Sequence, residues 1–315
     1  MFFSSPTNSC FTKFLLLIAL AMLAGCNSRR AEENKDARIK VTTTVTMVAD
    51  LVRSVGGERV LIETLMGPGV DPHLYKAAAS DVTKLQRADV IFYSGLLLEG
   101  KMQDIFTDLA RSGRRVFAVT DAIPKEKLSA PPEFAGHPDP HVWFDVTLWK
   151  LCLEVVVKGL AEADPEGREF YEARAAEKRA RLDELHAWAL QKSAELPADR
   201  RILVTSHDAY NYFGRAYGFQ VIGLQGISTV SEAGLADVAK LSDFIKEKGI
   251  KAVFVESSVP HDTIERISRD TGAKIGGELF SDAMGTAGQM ENGYDLGTYE
   301  GMIKHNLSTI VEALK

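Results

Sequence analysis

Four side chains of metal-ligating type follow strand-like runs: His73 in GVDPHLY, His141 in PDPHVWFD, His207 in RILVTSHD and Asp282 in LFSDAMG. Two of the chain's seven histidines thus come directly after an Asp-Pro pair. Spacings of 68, 66 and 75 residues lie far outside any local finger or helical HxxxH pattern, so only tertiary folding can bring the four together. Three imidazoles and a carboxylate suit a first-row divalent ion. Imidazole fits zinc, copper, iron or nickel, and a carboxylate shifts tolerance toward manganese. Pro72 and Pro140 each fix φ and hold the preceding Asp extended, which sets the following His on a stiff turn. Asp71, Asp139 or Asp145 is placed to accept the second ring N–H of a ligating imidazole. Glu256, closing the run VFVE, is the rival acidic ligand, and turn capping is the alternative role for Asp282.

These residues need elements to hold them. The first half alternates strands at 39–45, 59–66, 89–95 and 114–121 with helices at 47–57, 80–88 and 99–113. A Pro-rich loop follows and ends in PDPHVWFD, then a helix over 146–163. The second half repeats the grammar, with strands at 201–207, 219–226, 250–258 and 273–280 and helices at 208–218, 231–249, 261–272 and 298–314. Such alternation predicts right-handed βαβ units around mostly parallel sheets. Between the halves, EFYEARAAEKRARLDELHAWALQKSAEL runs without Gly or Pro, with apolar or small residues at 171, 175, 182, 185 and 189. At 1.5 Å per residue it would span roughly 40 Å, a rigid spine between two lobes. Its heptad pattern is too poor for a coiled coil, and a monomer is expected. The fold class is therefore α/β, two (βα)4-type lobes joined by one long helix. The expected domains are an N-terminal lobe at 39–165, a linking helix at 166–197 and a C-terminal lobe at 198–315. Ligands of open parallel sheets bind outside the carboxyl ends of the strands. His73, His141, His207 and Asp282 are expected there, two from each lobe, in the cleft between them.

The N-terminus carries a different message. FLLLIALAMLA, residues 14–24, is too short for a membrane span and suits a signal-peptide core, with one basic residue, Lys13, before it. It runs into LAGC and then polar NSRRAEENKDAR, which resembles a bacterial lipobox. Residues 1–25 are read as a lipoprotein signal peptide, Cys26 as the lipidation site and 26–38 as a flexible tether. Cys10 leaves with the signal, and Cys152 in LCLEVVV is expected to be a buried small hydrophobe. No disulfide is available within the mature chain. A net charge of −6 without a basic cluster argues against nucleic acid.

GVDPHLY, LLLEGKMQDIF, DPHVWFD, TSHDAYNYFGRAYGF, GISTVSEAG and LFSDAMG, in that order, resemble the cluster-9 metal-binding proteins. These are the zinc- and manganese-binding solute-binding lipoproteins of bacterial ABC importers, some described as adhesins. The resemblance covers nearly the whole mature chain. It implies two (βα)4 lobes on a long helix, a buried four-ligand site at His73, His141, His207 and Asp282, and delivery to a permease and its ATPase. It places the protein outside the cytoplasm, on the periplasmic or cell-exterior side of a bacterial membrane, and brings metal ion transport and cell adhesion among the implied roles. In that family the third position separates subtypes: manganese binders tend to have Glu there, whereas zinc-type and dual members have His, as here at His207. The loop before the second ligand, IPKEKLSAPPEFAGHPDP, has one His where many strictly zinc-type members carry a His- and acid-rich insert. The cargo is therefore expected to be one divalent ion, zinc first with manganese a close second.

Two other functions stand beside the carrier: an exported zinc metalloenzyme, and a chelate- or vitamin-binding protein of similar architecture. A catalytic zinc keeps three protein ligands and an open position for water, whereas four would close the shell. HExxH and GxSxG are both absent from the sequence. A chelate site would favour an aromatic or Arg-lined cleft over converging imidazoles. The chain is not expected to be an enzyme. His137 reads as a solvated loop residue, His186 as surface on the long helix, His261 as a helix start and His305 as structural. Tyr75, Trp143 and Phe144 read as packing that keeps water from the site.

Overall fold

Strands buried on both faces of a parallel sheet read as near-continuous apolar runs, and VIFY at Val90–Tyr93 and AVFVE at Ala252–Glu256 set the pattern. The computed structural model describes Met1, Phe2 and residues 38–315. The signal peptide beyond its first two residues, the lipidation site Cys26 and the tether up to residue 37 lie outside the described residues. Residues 39–315 form one compact unit.

In the first half β1 (Ile39–Thr43), β2 (Val60–Thr64), β3 (Val90–Tyr93) and β4 (Val116–Ala118) make a parallel sheet in the order β2-β1-β3-β4. Its register sets Val41 beside both Ile62 and Val90. In the second half β5 (Ile202–His207) pairs in parallel with β6 (Gln220–Gln225), and β7 (Ala252–Glu256) pairs in parallel with β8 (Lys274–Leu279). β5 also packs alongside β7. Helices fill the crossovers as the sequence predicts, and the α/β class with parallel sheets holds. Gly223 on β6 is required by space: a Cβ there would lie 2.5 Å from the backbone nitrogen of Asp208, just beyond His207.

The long helix spans Arg168–Ser193 and buries Tyr171, Ala175, Lys178, Leu182, Leu185 and Ala189 along one stripe. That stripe packs on the helices Thr46–Gly56 and Leu153–Ala163 of the first half and on Tyr299–Leu314 of the second. Lys178 is the departure from the expected solvated charge. Its Nζ lies 2.9 Å from Asp50 Oδ2 and 2.7 Å from Glu300 Oε2, so one buried ammonium joins three helices. The main hydrophobic core runs through both halves, with a smaller cluster of Val204, Leu224, Ile245, Val253 and Ile267 in the second.

Some boundaries differ from the sequence reading. The predicted strand at 114–121 is extended only over Val116–Ala118 and then turns into a short 3-10 segment, Val119–Ala122, pinned where Thr120 Oγ1 donates to Ser94 O at 2.7 Å. The helix predicted from 231 starts at Leu235, where Asp237 accepts the amide of Gly234 at 3.0 Å. A hairpin of Met290–Glu291 and Tyr294–Asp295, turning on Asn292 and Gly293 with φ of +50° and +82°, has no counterpart in the sequence reading. Among the described residues no helix is long and apolar enough to cross a membrane.

Candidate metal centre

The repeated Asp-Pro-His tripeptides build the same local device twice. Asp71 Oδ1 accepts the amides of His73 at 2.8 Å and Leu74 at 3.3 Å. Asp139 Oδ1 likewise accepts the amide of His141 at 3.0 Å. Each Asp closes an Asx-type turn two residues on, and each proline stiffens it. His207 is the last residue of β5, and Asp282 follows β8 by three residues.

The four expected donors meet. His73 Nε2 lies 3.3 Å from His141 Nε2 and 3.9 Å from Asp282 Oδ2. Asp282 Oδ1 lies 3.4 Å from His141 Nε2, and Oδ2 lies 3.4 Å from His207 Nε2. One donor atom from each residue falls within 4.8 Å of all the others. A tetrahedron of metal–ligand bonds of about 2.0–2.2 Å sets its donors roughly 3.3–3.6 Å apart; three of the four spacings above fall in that range, and the set as a whole could hold one ion. His73 is 3% exposed and the other three are 0% exposed. His207 Nε2 and both Asp282 oxygens are buried without a hydrogen bond of proper geometry among the described residues. Orphaned buried polar atoms are costly unless something fills the space between them, and a cation would do so here.

Behind the donors stand residues that aim them. Asp139 Oδ1 also accepts His141 Nδ1–H at 2.8 Å, and Asp139 Oδ2 accepts from Asn211 Nδ2 at 3.3 Å. Glu256, the rival ligand of the sequence reading, takes a different place. Its Oε1 accepts the backbone amide of His207 at 2.9 Å and its Oε2 sits 2.5 Å from Nδ1, on the side of the ring away from Asp282. It holds the ring and stays out of the converging set. Asp71 binds backbone amides, not an imidazole. Asp145 caps the helix at Val146 through Thr147 N at 2.9 Å and lies 3.6 Å from Arg215. Of the three Asp residues considered as ring partners, Asp139 has that role.

Burial and charge act in opposite directions on these groups. Burial pushes the His73 imidazole down to about 3, only partly offset by Asp282. For His141 burial also favours the neutral ring, but Asp139 and Asp282 overcome it and raise the group to about 9. For His207 burial is likewise overcome, by Glu256 and Asp282, and the group moves well above its ordinary value. Burial would raise Asp282, yet His207 and His141 hold it well below the usual carboxylate range.

The remaining histidines sort much as expected. His137 is exposed, His261 precedes the helix Asp262–Thr271, and His305 is tied to Glu278 O at 3.0 Å. His186 departs from a surface role, half-buried with its ring 5.8 Å from that of Tyr217. Trp143 and Phe144 are fully buried, and Trp143 stands edge-on to His141 at 5.2 Å, sealing the site. Tyr75 instead donates to Asp81 Oδ2 at 2.7 Å, alongside the helix Ala79–Arg87. Tyr212 and Asn211, which grip the Asp139 turn from the second half, were not read from the sequence. Their only signal is the aromatic-rich DAYNYF after His207. Cys152 is buried, as expected.

Residues 41–313 match the profile of the family described as zinc-uptake complex component A, periplasmic. The chain belongs to this family. That is the membership its motifs implied. The manganese-binding lipoprotein MntA of Bacillus subtilis is 44% identical over 305 residues, covering 95% of this chain and 97% of the relative. The zinc-binding protein TroA of Treponema pallidum is 46% identical over 308 residues, covering 95% and 96%. The solved structure of that periplasmic zinc-binding TroA superposes with a TM-score of 0.83 over 88% of this chain and 99% of its own.

Proposed function

We propose that this chain is the lipid-anchored solute-binding component of an ABC importer, which captures one divalent transition metal ion and hands it to the membrane permease and its ATPase. Zinc is the favoured cargo and manganese a close second. His73, His141, His207 and Asp282 are the ligands, drawn from an N-terminal lobe at 39–165 and a C-terminal lobe at 198–315 joined by the linking helix at 166–197. Cys26 carries the lipid that holds the monomer to the membrane, facing the periplasm or the cell exterior. The observation that carries this reading is the convergence of the four buried donors within 4.8 Å. Relatives named as zinc-binding and manganese-binding support it.

Four protein donors favour carriage over hydrolysis, because a catalytic zinc leaves one position for water. Three imidazoles favour zinc, and the retained carboxylate keeps manganese within reach. Elemental analysis of protein purified without added metal, followed by zinc–manganese competition, tests the reading. One ion per chain and a Tm that rises with added metal are expected. A Tm indifferent to both metals would overturn it. His207→Glu should shift competition toward manganese, and an unchanged preference would refute the assignment of His207 as the selecting ligand.

A further inference from the structure

The four donors are closed in together, yet they are not fastened alike. The turn carrying His141 is bound to the second half by several buried hydrogen bonds. Tyr212 Oη donates to Asp139 O at 3.1 Å, Trp143 Nε1 to Ser281 O at 3.0 Å, and Tyr299 Oη to Trp143 O at 2.6 Å. The loop carrying His73, residues 67–75, is held across by much less. Among the described residues one side-chain hydrogen bond ties it to the second half, from Thr229 Oγ1 to Asp71 Oδ2 at 2.6 Å. The loop's other side-chain bonds stay in its own half, such as Lys101 Nζ to Leu74 O at 3.4 Å.

The single tie is well placed to govern His73. Asp71 accepts Thr229 on one oxygen and the amides of His73 and Leu74 on the other, so letting go of Thr229 frees the turn that aims the imidazole. Thr229 is itself buried, as is Ile227 before it, but Val230, Ser231 and Glu232 after it are exposed, so the stretch from Thr229 onward can swing outward with little apolar surface to uncover. Because the donors are almost wholly inaccessible, an ion can pass only if the walls part.

We propose that the ion enters and leaves on the His73 side, and that the Thr229–Asp71 hydrogen bond is the latch that sets the rate. Thr229 is a positioning residue acting through Asp71, and His141 belongs mechanically to the C-terminal half. This rests on the metal-carrier reading above.

The test loads the full mature chain with zinc alone and follows its release into excess chromophoric chelator by stopped flow. Zinc per chain is measured on the same preparations. Thr229→Val should release zinc about tenfold faster or more, the effect of losing a hydrogen bond to a carboxylate. Thr229→Ser should restore the parental rate. Tyr299→Phe, which removes one of several ties on the other side, should stay within about twofold of the parent. Release from Thr229→Val at the parental rate, or equal acceleration by Tyr299→Phe, would overturn the latch. A Thr229→Val chain that no longer holds one zinc at equilibrium would overturn it too, since the bond would then support binding itself. A parental chain that takes up no zinc would instead sink the carrier reading.

Discussion

Replacing Asp139 by Asn tests how the site trades protons for metal. Asp139 Oδ1 accepts both the amide and the ring Nδ1–H of His141, at 3.0 and 2.8 Å. With an ion on Nε2, that carboxylate makes the imidazole a better donor. Losing such a partner typically costs 10–100-fold in metal affinity, about 1–3 kcal/mol. In the metal-free site the same carboxylate works against binding. Burial lowers His141, but Asp139 and then Asp282 raise it to about 9, so at pH 7 the ion must displace a proton. Two pH units correspond to roughly 3 kcal/mol, and the part due to Asp139 offsets some of the gain. The two effects oppose each other at pH 7, and the affinity loss of Asp139→Asn should there be smaller than at high pH. Near pH 9.5 the parental proton is gone and the full 10–100-fold loss should emerge. Calorimetric titration in buffers of different ionisation enthalpy counts the protons directly. The parent should release more protons per ion at pH 7 than the variant. Equal proton release, with the same affinity loss at both pH values, would refute the reasoning.

Three further outcomes follow from the same geometry. Glu256→Gln should weaken zinc binding by about 10–100-fold while stoichiometry stays at one, whereas Asp282→Asn should lose far more; a reversed order in competition titrations would make Glu256 the ligand. The metal-free chain should be most stable between two limits. His141, raised to about 9, stabilises fully below its unfolded value and loses that contribution as pH climbs through 9, whereas His73, lowered to about 3, loses stability as pH falls from about 6.5 toward 3. Melting curves at fixed ionic strength check this, and a Tm rising steadily from pH 7 to 9.5 would contradict it. Lys178→Ala should cost about 3 kcal/mol in urea unfolding, because Asp50 is left buried beside Glu300 without its cation, and a loss below about 1 kcal/mol would show the triad to be dispensable.

Much of the architecture was legible because it depends on local rules. The strands and helices announce themselves through uninterrupted apolar runs such as VIFY and through 3.6-residue stripes such as 171, 175, 182, 185 and 189. Element ends were less legible. Val119–Ala122 has strand-like residues, yet the bonds of Thr120 to Ser94, distant in sequence, end the strand. The Asn292-Gly293 turn carried a local signal, but the strands it joins are only two residues each.

The site divides along the same line. The sequence by itself determined which side chains are suited to a cation, and that two of them ride on Asp-Pro turns at strand ends. Those are properties of residue type and of dihedral restriction, which act over two or three positions. Only the tertiary structure decided that Asp139 steers an imidazole while Asp71 reaches across to Thr229. It also made Glu256 a support for His207 and buried Lys178 between two carboxylates. A carboxylate or an ammonium has the same local preferences in either role. For Glu256, Asp71 and Lys178, what separates the roles is which groups, 49 to 158 residues away in sequence, lie within about 3 Å once water has been excluded, and no local pattern encodes that.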